Sequence, residues 1–164
     1  MTSKWLRRTL VLAACASAAL LTACGSSTVE SAVTPTRILS FGDALSDVGY
    51  AGKRYTINDG STNIWAQQFA ASYGRTLDAA SAGGVGYARG NARMTLTPDA
   101  AGVAGTRTVT QQIDDFLAAG TIGTNDMVLV NSGISDIITQ MAAVKAGTIT
   151  EATLVANAQT AGRE

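Results

Sequence analysis

The feature that most constrains this chain is the run Phe41-Gly42-Asp43-Ala44-Leu45-Ser46-Asp47-Val48-Gly49, set directly behind Arg37-Ile38-Leu39-Ser40. The four preceding residues read as a short buried strand. A tight glycine-bearing turn therefore stands where a strand hands over to a helix. In open α/β sheets, ligands and chemistry gather at that place, at the carboxyl ends of the strands.

The rest of the chain repeats the pattern. Tyr50 to Ser61 is rich in Gly, Asn and Asp and reads as surface loop. Ser61 or Thr62 is the expected cap of a helix that carries Trp65, Phe69 and Tyr73 on a core face and stops at Gly74. Thr76-Leu77-Asp78-Ala79-Ala80 reads as a second short strand, leading into the glycine-rich Gly83 to Arg93. Residues 94–108 are irregular. Val109, Ile113, Phe116 and Leu117 then share one face of a helix closed by Gly120. After a Gly-Thr-Asn-Asp turn, the continuous apolar run Met127-Val128-Leu129-Val130 predicts a strand buried on both faces, as in parallel sheets. Ile134, Ile137, Ile138 and Met141 form the apolar stripe of the next helix. Thr150 caps a last one, carrying Leu154, Ala158 and Ala161, within which the chain ends. Strands alternating with helices predict a three-layer α/β domain on a parallel sheet, with only three strands in view.

The amino-terminal end has a different character. Lys4, Arg7 and Arg8 precede a small-residue apolar run from Leu10 to Leu21, which closes in Leu21-Thr22-Ala23-Cys24. The run is shorter than the roughly 20 residues of a spanning helix, so it reads as a secretory leader. Leu-Thr-Ala-Cys resembles a bacterial lipobox, which makes Cys24 the expected lipidated first residue of the processed chain. The predicted organisation is a leader over 1–23, a lipidated cysteine and flexible tether over 24–35, and a folded domain over 36–164. The expected location is the bacterial cell envelope, with the membrane reached through the lipid anchor on the periplasmic or extracellular side.

Composition excludes several function classes. Of 12 basic residues, three lie in the leader, which has no acid. The remainder carries 9 basic and 12 acidic residues, a net charge of −3 and a poor footprint for nucleic acid. The chain has no histidine, and its second cysteine, Cys15, lies in the leader. An intramolecular disulfide is thus excluded after processing, and a zinc site built on His or Cys nearly so. The glycines of 83–90 match neither the dinucleotide nor the P-loop spacing, and no cofactor is expected.

The opening run resembles the first block of the GDSL (SGNH) ester hydrolases, F-G-D-S-L-S-D, with Ala44 where that family has its nucleophilic serine. Tyr87-Ala88-Arg89-Gly90 and Ala92 resemble the second block, N-Y-A-x-G-G-A. There Gly86 replaces the asparagine and Asn91 the second glycine. Gly133-Ile134-Ser135-Asp136 resembles the third block, G-x-N-D, with Ser135 in the asparagine's place. The resemblance covers roughly Ile38 to Asp136. It implies a flavodoxin-like sheet of five strands, truncated here before the strand that would pair the third one. An open edge on a hydrophobic strand results.

What the resemblance implies for chemistry is divided. Serine-based acyl transfer needs a hydroxyl nucleophile, a histidine base, an orienting carboxylate and oxyanion donors. The donors carry over to the backbone N–H groups at Ala44 and at Asn91 with Gly90 beside it, and to the side chain of Ser135. The nucleophile position is Ala44 itself. Its loss is worth on the order of a millionfold in rate. The family's C-terminal Asp-x-x-His block is missing as well, and Ser46, two residues on, has no base. The expectation is an ester hydrolase relative that does not turn over acyl lipid or acetylated sugar, the ester substrates of intact relatives. The alternatives are a non-catalytic ligand-binding lipoprotein and a structural envelope lipoprotein. A deliberate serine-to-alanine exchange is disfavoured by the retained leader.

Overall fold

The computed structural model describes residues 33–164, so the leader, Cys24 and most of the tether lie outside the described residues. Strand β1 spans Arg37–Gly42 and strand β2 spans Asp126–Asn131, paired in parallel from Arg37 opposite Asp126 to Gly42 opposite Asn131. Helix α1 is Trp65–Ser72, α2 is Val109–Ala119, α3 is Ile134–Lys145 and α4 is Glu151–Ala161. The chain is thus a mixed α/β fold with a small two-stranded parallel sheet.

β1 is the centre of the molecule because its alternate residues feed two cores. Ile38 packs with Ile64, Ala66 and Ala70 of the α1 segment and with Leu77, and Met127 and Leu129 of β2 lean on the same cluster. Leu39 and Phe41 point the other way, into Ala92 and the Val109 and Phe116 of α2. Period-two alternation along one strand therefore sets α1 against one face and α2 against the other. Phe41, Tyr87 and Phe116 close the second core with ring centroids 5.6–5.8 Å apart. This spacing suits edge-to-face and offset contacts.

Four expectations are corrected. Thr76–Ala80 is not a strand. Gly86 forms single bridges to both Ala79 and Ser40, and the chain turns through a 3-10 segment at Ala80–Ala82. Segment 85–89 takes the free edge of β1 instead, with Ser40 N–H donating to Val85 O (3.2 Å), Tyr87 N–H to Ser40 O (2.7 Å) and Arg89 N–H to Gly42 O (3.1 Å). α1 is not capped at Ser61 or Thr62. The Asp59 carboxylate takes the N–H groups of both residues, at 3.0 and 2.8 Å, and the Thr62 hydroxyl. That turn delays the helix to Trp65, behind Ile64.

The buried face of α1 belongs to Ala66 and Ala70, whose small side chains let the helix approach β1. Phe69 and Tyr73 are only partly buried, and Trp65 is exposed. Finally, β2 is not buried on both faces. Val128 and Val130 share the face of Leu39 and Phe41 but lie beyond the cover of α2, and Val130 is 57% exposed. Ile134, Ile137, Ile138 and Met141 of α3, and Leu117 of α2, are also exposed. α4 ends at Ala161, before the last three residues, with Leu154, Ala158 and Ala161 on its less exposed side. Among the described residues no helix is long and apolar enough to cross a membrane.

Candidate functional site

Three turns meet at the carboxyl end of the β1–β2 pair. The first begins at Gly42, whose φ of +144° suits glycine alone. A Cβ there would also sit 2.0 Å from Asn131 O. Asp43 N–H then donates to Asn131 O (3.2 Å), which fixes the Asp43-Ala44 turn against the end of β2. Gln112, fully buried on α2, grips the Gly42 peptide from the other side. Gly42 N–H donates to its Oε1 and its Nε2 donates to Gly42 O, each at 3.0 Å. Nothing in the sequence pattern singled out Gln112. Its helical position was legible, but a polar residue facing the core earns meaning only from the backbone it meets.

Asp47 joins the first turn to the second. Its Oδ1 accepts the Gly49 and Tyr50 N–H groups at 2.8 Å, and its Oδ2 accepts the Gly90 N–H at 2.7 Å. Gly90's N–H is therefore committed to Asp47. Asn91 comes next at φ +62°, a left-handed conformation that asparagine tolerates better than most residues. Gly86 lies against Val48, with room for no Cβ: one would come within 2.7 Å of Val48 Cγ2.

The third turn follows β2. Gly133 takes φ +105° at the start of α3 and leaves Ser135 and Asp136 buried in its first turn. Asp136 binds the second turn to the third. Its Oδ1 accepts Arg93 Nε–H at 3.0 Å and its Oδ2 accepts Met94 N–H at 2.8 Å. The pair is almost fully buried, so each charge is compensated where solvent cannot do it.

The residues the sequence singled out are thus brought to one end of one strand pair. Ala44 is half-buried and carries no hydroxyl. Among the described residues the Ala44 and Asn91 N–H groups have no hydrogen-bond partner, and the Ser135 hydroxyl makes no hydrogen bond. Ser46 is fully buried, with its Oγ unpartnered and no base beside it. Asp43 is fully buried too, and one of its oxygens has no partner. Burial raises its pKa above the ordinary value, against the lowering pull of the Leu45 and Ile134 N–H groups. Chemically, the arrangement offers free backbone donors around a position that lacks a nucleophile. No family model, curated protein or solved structure matches the chain.

Proposed function

We propose that residues 36–164 form the amino-terminal part of an SGNH-type ester hydrolase domain, of three-layer flavodoxin-like architecture, and do not hydrolyse esters by themselves. The observation that carries this reading is the convergence of the Asp43-Ala44, Gly90-Asn91 and Gly133-Ser135 turns, with the Ala44 and Asn91 N–H groups left without partners among the described residues. Unpaired backbone donors beside the carboxyl ends of parallel strands are what an oxyanion site requires. The open edge and exposed valines of β2 suit a sheet that continues in the intact domain. Within residues 1–164 two groups that the chemistry needs are lacking, a hydroxyl at position 44 and a histidine. Cys24 is the proposed lipid attachment point, which would hold the domain at the bacterial envelope.

The test separates the donors from the missing groups. Ala44→Ser should leave hydrolysis of p-nitrophenyl butyrate at background, because no base is present to activate the hydroxyl. Ala44→Cys needs no base at pH about 8.5, where an ordinary thiol is half ionised. That variant should be acylated by the same ester at least about tenfold faster than the cysteines already in the parent chain. One aimed donor is worth about 10²–10³ in rate. Equal rates would mean that the turns form no oxyanion site, and the family reading would fall.

A further inference from the structure

A cavity of about 500 Å³ opens beside the Gly90-Asn91 turn. Its walls include Tyr50, Tyr55, Arg89, Asp99 and Val103. Arg89 is its unusual member. The guanidinium carbon lies 3.6 Å from the centroid of the Tyr50 ring, a cation–π contact that tethers it at the cavity wall. Its Nε is buried and has no hydrogen-bond partner, and among the described residues the guanidinium makes no ion pair. Arg107, the other cation beside Tyr50, is already paired with Asp115.

The carboxylates in the wall are not free to pair with Arg89 either. Asp47 spends its oxygens on three backbone N–H groups. Asp99 spends its own on the Ala101 and Val103 N–H groups and the Thr106 hydroxyl. A cation fixed on a ring, with its Nε closed off and no acidic partner among the described residues, suits an oxyanion that reaches the rest of the guanidinium. Two nearby carboxylate charges penalise a dianion more than a single charge. Tyr55 lays its ring over bare Gly90 backbone, where a Cβ would come within 1.9 Å, and remains half exposed. With Val103 it gives the cavity an apolar flank.

We infer that this cavity binds a small monocarboxylate with an apolar tail, its carboxylate on Arg89 and its tail against Tyr55 and Val103. The inference concerns a different pocket wall from the Ala44 turn and stands whether or not the chain is related to ester hydrolases.

The experiment follows the Arg89 Nε–H resonance of the full chain by NMR during titration with sodium benzoate, and separately with inorganic phosphate. Benzoate should give a saturable shift with a Kd of about 1–10 mM, as fits one charge-assisted contact and modest apolar burial. Phosphate should bind about tenfold more weakly or not at all. Arg89→Gln should abolish the benzoate response at the neighbouring Asn91 and Tyr55 amides, and Tyr50→Phe, which keeps the ring under the guanidinium, should retain it. No saturable shift with the parent chain up to about 50 mM benzoate would overturn the inference. So would phosphate binding as tightly as benzoate, or an unchanged response in a folded Arg89→Gln chain.

Discussion

The two ends of the β1–β2 pair are built on opposite principles. At the amino end the charged groups of the strand pair are conventionally satisfied. Arg37 bonds both oxygens of Asp126 and the Thr121 carbonyl, while Thr36 and the Gly123 N–H complete the Asp126 shell. At the carboxyl end, one residue pair further than the last apolar contact, Gly42 sits at positive φ, and among the described residues Asp43 is buried without a cation and the Ala44 and Asn91 N–H groups stand free. The difference teaches where the molecule tolerates cost. Strained and unsatisfied groups concentrate at the end where α/β sheets place chemistry, and the opposite end serves stability.

The comparison can be broken most sharply at Gly42. Gly42→Ala forces a Cβ into the Asn131 carbonyl at a φ that alanine avoids, and it should cost more than about 3 kcal/mol in urea unfolding. Gly52→Ala also falls at positive φ, in the milder left-handed region at +77°, has open space around it and should cost only about 1 kcal/mol. If both changes cost the same, contact with β2 is not what makes Gly42 special.

Gln112→Leu comes next. It keeps much of the volume but leaves the Gly42 N–H without its partner and removes one of two donors to the Gly42 carbonyl. The expected loss is about 2–3 kcal/mol. A loss below about 0.5 kcal/mol would show that the peptide rearranges to other partners.

The two carboxylates should then respond to pH with opposite signs. Asp43 has a raised pKa, so the folded chain holds its proton more tightly than the unfolded one. Its charge is a liability that grows as pH rises from the ordinary 3.8 through the raised value. Asp43→Asn should therefore gain stability relative to the parent as pH increases across that window, read as the difference between the two melting curves. Asp126 is the reverse, held well below the usual carboxylate range by its bonds to Arg37 and to the Gly123 N–H. Its contribution is present above pH 3.8 and fades as pH falls toward the depressed value. Asp126→Asn should lose a little stability at neutral pH and none at the acid limit. Its effect should be smaller than that of Gln112→Leu, because Arg37 is partly in solvent. Matching slopes for the two variants would erase the distinction between the ends.

Much of this was legible in the sequence, element by element. The strand at Ile38, the helix ended by Gly120, the apolar run at Met127 and the cap at Thr150 follow from local period and turn chemistry, which act over a few residues. The glycine-rich turn, with Ala44 behind it, pointed to the carboxyl end of β1 correctly. Trp65 misled because four-residue spacing marks a helix face without saying whether that face is covered. Ser61 and Thr62 misled because Asp59, two and three residues back, bonded them first. The committed role of the Gly90 N–H was invisible, since Asp47 lies 43 residues away.

By itself the sequence determined the two paired strands and most of the helices, though not the fate of Thr76–Ala80 or the start of α1, and it determined which chemical groups these residues lack. No arrangement of these residues supplies a hydroxyl at position 44 or an imidazole anywhere. Tertiary structure decided the rest: which face of each element finds cover, which N–H groups stay free among the described residues, that Gln112 grips the Gly42 peptide and that Arg89 rests on Tyr50. Those outcomes depend on contacts between residues distant in the chain. Local propensity carries no information about which backbone or ring a side chain will meet.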